Sequence, residues 1–118
     1  MGNIDKVLAR VFVSDLDAAV PFYEELAEAR AERFGFRGVE LVRVGHFLLL
    51  AGDTDAYRNR TATVQVASLA PVLAALETAG GEVIEGPVPA PNGARLIARH
   101  PDGAVFEYIE TGAPGEPA

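Results

Sequence analysis

The sequence predicts an α+β fold built from two βαβββ-like repeats, and three observations carry the prediction. A run with strand alternation at Val7–Ser14 returns around Val64. A helical stripe follows each run, and each half then closes on a hairpin. Each half alone is too small to bury a sheet, so the two are expected to act as one domain over residues 1–118. The repeats are placed at about 4–52 and 61–110, with 111–118 as a flexible tail rich in Gly and Pro.

The elements follow in order. Val7, Ala9, Val11 and Val13 alternate with Leu8, Arg10 and Phe12, giving one face fit to lie beneath a helix and one mixed face fit for a cavity. Ser14-Asp15-Leu16-Asp17 supplies helix-capping oxygens, and Leu16, Ala19, Val20, Tyr23, Leu26 and Ala27 form an apolar stripe. Pro21 is tolerated near a helix start, which places that start close to Asp17, and the helix fades before Gly35. Val39–Val44 and Phe47–Ala51 flank a tight turn at Gly45-His46, and a polar loop through Tyr57 follows. The theme then repeats: Val11-Phe12-Val13-Ser14-Asp15-Leu16 aligns with Val64-Gln65-Val66-Ala67-Ser68-Leu69. The second helix runs from a cap at Ser68, past Pro71, to a stop at Gly80-Gly81. Gly86–Gly93 reads as a proline-stiffened loop. The strands Ala94–Arg99 and Ala104–Glu110 flank the turn His100-Pro101-Asp102-Gly103.

Composition narrows the function. Apolar residues make up 49% of the chain, enough for a core. No apolar run approaches the ~20 residues of a membrane helix, and the first residues lack the pattern of a secretory signal. A cytoplasmic location is expected. With no cysteine there is no disulfide, thiolate nucleophile or Cys-held zinc. A net charge of −7 speaks against a nucleic-acid partner and tolerates a neutral or cationic small molecule. No nucleophile elbow and no glycine-rich phosphate loop is present.

Val13-Ser14-Asp15-Leu16-Asp17 leading to Phe22-Tyr23, Leu76-Glu77-Thr78-Ala79-Gly80-Gly81, and Pro101-Asp102-Gly103 leading to Phe106-Glu107 carry a family resemblance. In this order, from about Ile4 to Glu110, they resemble the vicinal oxygen chelate superfamily. That superfamily holds glyoxalase I, extradiol dioxygenases, fosfomycin-resistance enzymes and bleomycin-resistance binding proteins. The resemblance implies a curved mixed sheet around a trough, with the helices on its outer face. It also implies metal-ligand positions, which fall here on Leu8, Thr61, Glu107 and a residue near Leu49 or Leu50. Leucine cannot ligate a divalent ion and threonine is a poor ligand, so neither a metal nor another cofactor is expected.

The expected ligand-binding residues are Leu8, Arg10, Phe12, Phe47, Leu49, Tyr57, Thr61, Thr63, Gln65 and Glu107. Phe12 reads either as a cavity wall or as plain core, and Tyr57 as a pocket cover or a local apolar patch. Thr61, Thr63 and Gln65 read as a wet cavity face or as a solvated one. Glu107 reads as the partner of an inward Arg10, as an acid that touches ligand, or as a lone metal ligand. If any residue is catalytic it is Glu107, as a general base beside Arg10. His46 and His100 are expected as exposed turn histidines. The expected function is metal-independent binding of a small hydrophobic or aromatic natural product by a homodimer, in a resistance role. The alternative is a metal-dependent lyase, isomerase or dioxygenase of the same superfamily.

Overall fold

The computed structural model describes residues 2–90 and 93–111. Pro91, Asn92 and the expected tail from residue 112 onward lie outside the described residues. The order of elements is β1 (Ile4–Phe12), α1 (Leu16–Ala27), β2 (Glu32–Phe36), β3 (Val39–Val44), β4 (Phe47–Gly52), β5 (Ala62–Val66), α2 (Ala70–Ala79), β6 (Glu82–Ala90), β7 (Gly93–Arg99) and β8 (Val105–Thr111). This is the α+β class, with βαβββ performed twice. Among the described residues no helix is long and apolar enough to cross a membrane.

Leu8–Asn59 form one compact unit. There β2, β3 and β4 pair antiparallel in sequence, and β4 pairs parallel with β1. The hairpin at Gly45-His46 joins Val44 to its partner Phe47, as the turn chemistry predicts. Helix α1 is capped by Asp15, whose carboxylate accepts from the Ala18 amide at 3.2 Å, so it begins at Leu16, next to Asp17 as expected. Pro21 sits within the helix, beyond its first turn. Leu16, Val20 and the half-buried Tyr23 of α1 pack on Val42, Val44, Leu49 and Ala51. Asp15→Ala is expected to cost about 1 kcal/mol, the usual worth of such a cap, read as a lower midpoint in denaturant unfolding.

The residues through Val7 belong with those from Arg60 onward in the second unit, so the repeat does not divide as the sequence alone suggests. Asn3 supplies the reason. Its side-chain amide donates to the Ser68 carbonyl at 2.8 Å and accepts from the Ser68 amide at 3.0 Å, while its own carbonyl accepts from Ala67. In this unit β5 pairs parallel with β8, and β8, β7 and β6 pair antiparallel. Helix α2, through Leu76 and through Leu69 just before its start, lies on Val64, Val66, Leu96 and Ala98. Its first turn is held by the Ser68 hydroxyl, which accepts from Ala70, and by Glu110, which accepts from Leu69 at 2.9 Å. Gly80 ends it in the left-handed conformation.

Two strands depart from the sequence reading. β2 lies where only a fading helix is expected, and β6 runs through Gly86, Pro87 and Pro89, which read as a loop. Gly86, at φ +88, lets the β6 backbone approach β7, because a Cβ there would meet the Arg95 carbonyl at 2.6 Å.

Candidate functional site

The face of the second unit turned away from α2 is built from β5, β8, β7 and β6. Side chains alternate along a strand, so with Val64, Leu96 and Phe106 beneath α2, residues Thr63, Gln65, Glu107, Ile109, Arg95 and Ile97 take the other face. The register sets them in two rows. Thr63, Glu107 and Ile97 stand abreast, followed by Gln65, Ile109 and Arg95.

Arg95 organises the first row from the second. Its Nε donates to Glu107 Oε2 at 3.1 Å and its Nη1 donates to Glu85 Oε2 at 2.8 Å. The Thr63 hydroxyl donates to the other Glu107 oxygen at 2.8 Å. Arg95 is 2% exposed and Thr63 fully buried. Burial pulls the Arg95 pKa down, but the charge and hydrogen bond of Glu107, with those of Glu85, more than reverse this and leave it raised. The guanidinium is therefore a permanent cation between two carboxylates.

In the first unit the face away from α1 is apolar. Leu8, Val39, Leu41, Leu48 and Leu50 are buried together, with Phe12, Phe34, Phe36 and Tyr57 half-buried against them. Arg10 stands between Leu8 and Phe12 in this strand and donates to the Tyr57 carbonyl at 3.3 Å. Arg58 lies over the Phe12 ring, 4.5 Å from its centre. Tyr57 covers a local apolar patch here.

The structure moves several expected residues. Phe47 and Leu49 lie on the helix side, packed with α1, while Leu48 and Leu50 share the face of Leu8 and Phe12. Register is the cause: Phe47 pairs with Ala9 and Leu49 with Val11, and paired residues point the same way. Thr61 is exposed and precedes β5, its amide donating to the Val105 carbonyl at 2.6 Å. His46 is exposed in its turn, as expected. His100 is not: it is half-buried, stacks on Phe106 at 4.3 Å, and its Nε2 lies 2.6 Å from the Tyr108 hydroxyl. Sequence reading passed over Arg95 as the counter-charge of Glu107. A parity count on the predicted strand Ala94–Arg99 places Arg95 on the face opposite Leu96 and Ala98, though it does not say which acid Arg95 meets.

On the α2 side of the same unit, His100 and Tyr108 border a cleft of about 450 Å³ lined chiefly by Ile4, Val72 and Leu76. Burial pushes the Tyr108 pKa up. A raised folded-state value stabilises the fold fully below the unfolded pKa of about 10, and the benefit is lost as pH climbs through the folded value. Stability should therefore fall above pH ~10, and Tyr108→Phe should flatten that fall in unfolding curves taken across alkaline pH.

The metal that the resemblance implies does not fit these residues. Leu8 is buried at one ligand position and Thr61 is exposed at another. Glu107 is engaged by Arg95 and Thr63, and among the described residues no three His, Asp or Glu side chains gather to hold an ion.

Two βαβββ units, each with one sheet face under a helix and the other carrying polar or aromatic groups, define an α+β protein of the glyoxalase-like class. The family model for the Glyoxalase/Bleomycin resistance protein/Dioxygenase superfamily matches residues 3–108, and the chain belongs to that superfamily. Among solved structures it is similar to an uncharacterized Methanosarcina mazei protein, at 41% identity, with 94% of this chain and 95% of that one covered and a TM-score of 0.87. It also shares its fold with the methylmalonyl-CoA epimerase of Mycobacterium tuberculosis (16% identity, coverage 93% and 88%, TM-score 0.67). The Streptomyces coelicolor methylmalonyl-CoA epimerase, solved with 2-nitronate-propionyl-CoA, is alike at 19% identity, with 99% of both chains covered and a TM-score of 0.69. No curated protein sequence matches the chain.

Proposed function

We propose that the chain is a metal-independent small-molecule-binding protein of the glyoxalase/bleomycin-resistance type, holding a hydrophobic or aromatic natural product and so serving a resistance role. One observation carries the reading. Glu107, at the position the family uses for a metal ligand, takes its positive charge from Arg95 of the same unit at 3.1 Å. An acid already neutralised by a guanidinium has little to gain from an ion. The apolar face with Phe12, Phe34 and Phe36 supports the choice of ligand class, since aromatic rings offer stacking surface without polar demands.

The alternative, a metal-dependent enzyme, draws its support from the epimerases among the structural neighbours. It requires at least three donors, and the residues at the family's ligand positions do not supply them. Elemental analysis and thermal-shift screening decide between the two. We expect no stoichiometric transition metal, a Tm indifferent to chelator, and a rise with an aromatic binder, since a ligand at 100 times its Kd adds about 2.7 kcal/mol. About one zinc, iron, nickel or manganese per chain after mild purification would sink the reading. A homodimer belongs to the same proposal and is supported by Phe22 and Leu26, exposed one turn apart on α1 at 60% and 55%. A sedimentation mass of one chain at micromolar concentration would refute it.

A further inference from the structure

We propose that the cleft on the α2 side of the second unit is a further ligand site, which takes a neutral hydroxyl carried on an apolar ring, as in a phenol, at the His100–Tyr108 pair. It shares no residue with the apolar face of the first unit on which the proposed function draws, so it stands apart from that reading.

The cleft holds about 450 Å³, within the roughly 300–1,000 Å³ of small-molecule sites. Val72, Ala75 and Leu76 of α2 and Ile4 of β1 supply apolar lining, while His100 and Tyr108 bring polar rings. Asn3 also lines it, but its amide is spent on the Ser68 backbone, donating at 2.8 Å and accepting at 3.0 Å. Of the described residues that line the cleft, none is an aspartate, glutamate, lysine or arginine. A carboxylate or ammonium entering it would give up water and meet no counter-charge, so the cleft selects an uncharged head.

The His100–Tyr108 pair decides which uncharged head. The Tyr108 hydroxyl lies 2.6 Å from His100 Nε2, and the imidazole stacks on Phe106 with ring centres 4.3 Å apart, so the pair is held in place. Burial pushes the Tyr108 pKa up, which keeps its proton on at neutral pH. That one bond has two proton arrangements. If the hydroxyl donates to Nε2, the Tyr108 oxygen keeps a lone pair for a ligand; if Nε2–H donates, the phenol proton is left for the ligand instead. A carbonyl answers only the second arrangement and an N–H only the first. A ligand hydroxyl both donates and accepts, and so answers either. A wholly apolar ligand would displace water from the Tyr108 oxygen and return no hydrogen bond.

The test uses the full chain with carbon-13-labelled methyl groups and three probes of similar shape. These are p-cresol, p-xylene (a methyl in place of the hydroxyl) and 4-methylbenzoate. p-Cresol is expected to shift the δ-methyl signal of Ile4, assigned by its loss in Ile4→Val, and 4-methylbenzoate to leave it in place. The hydroxyl is read as a ratio: the preference for p-cresol over p-xylene should fall roughly fivefold or more in Tyr108→Phe, about the worth of one hydrogen bond. An unchanged ratio overturns the proposal, as does p-cresol that leaves Ile4 unmoved or 4-methylbenzoate that binds as well. Ala75→Trp tests the cleft without touching the pair. Ala75 is exposed on α2, so the variant should keep its fold while filling the cleft, and p-cresol should no longer bind. Undiminished binding would overturn the proposal. The two readings fail separately. p-Cresol that shifts Leu8 and Leu50 in place of Ile4 defeats only this inference, whereas a stoichiometric metal defeats the proposed function and leaves the cleft result intact.

Discussion

Replacing Arg95 with methionine is expected to lower the unfolding free energy by about 3–5 kcal/mol, the cost typical of breaking a buried ion pair from one side. The stem of the arginine is matched by methionine, so packing changes little and the charge term dominates. Glu107, only 13% exposed at its side chain, loses the guanidinium that lies on it at 3.1 Å. The Glu85 pair contributes less, because that carboxylate is 37% exposed and solvent screens it. For a domain of this size the loss corresponds to a fall in Tm of roughly 10–20 °C. Adding Glu107→Gln to Arg95→Met should recover much of the deficit, because the amide can still accept from Thr63 while the carboxylate that Arg95 neutralised is gone. Denaturant titrations of the two singles and the double measure this directly. If Arg95→Met falls within 1 kcal/mol of the parent, or if the double is additive, the two charges do not compensate each other.

The parts of the fold that were legible in the sequence are those whose signal is local. Asp15 ahead of the Leu16–Val20–Tyr23 stripe announces α1, and Gly45-His46 between apolar runs announces the hairpin. The two strands that went unread end their units and pair on one side only, β2 with β3 and β6 with β7. Such strands need no continuous apolar pattern. Glu32-Arg33-Phe34-Gly35-Phe36 is largely exposed, and β6 accommodates Pro87 and Pro89 because its register is already broken between Val83 and Val88.

The site was half legible for a related reason. Alternation along one strand fixes which residues share a face, so Leu8 with Phe12 and Thr63 with Gln65 were grouped correctly. Alternation does not say how one strand slides against the next. Phe47 and Leu49 were therefore assigned to the wrong side, a one-residue matter of register that only the pairing with Ala9 and Val11 decides. Arg95 was missed as the partner of Glu107 because the two meet across the β7–β8 ladder, at a separation in sequence that no motif encodes.

Leu8→Ala is expected to be the other large loss, about 2–5 kcal/mol, and it separates two meanings of that position. Leu8 occupies the place where metal-binding relatives are expected to carry a ligand, yet it is 2% exposed and packed with Val39, Leu41, Leu48 and Leu50. Truncation leaves a cavity whose walls come from β3 and β4, which are tied to each other along their whole length and cannot close over it. Leu8→His tests the same residue from the side of function. An imidazole there would sit among leucines with its ring nitrogens unmet, so it should destabilise at least as much as alanine. If Leu8 were merely a lost ligand, histidine would restore metal affinity, and added zinc or nickel would raise the Tm of Leu8→His above that of the metal-free variant. We expect no such rise, because a single imidazole does not make a site and no three His, Asp or Glu side chains gather among the described residues. A metal-dependent gain of several degrees in Leu8→His, absent in Leu8→Ala, would show that the remaining donors are closer to a metal site than their partners suggest.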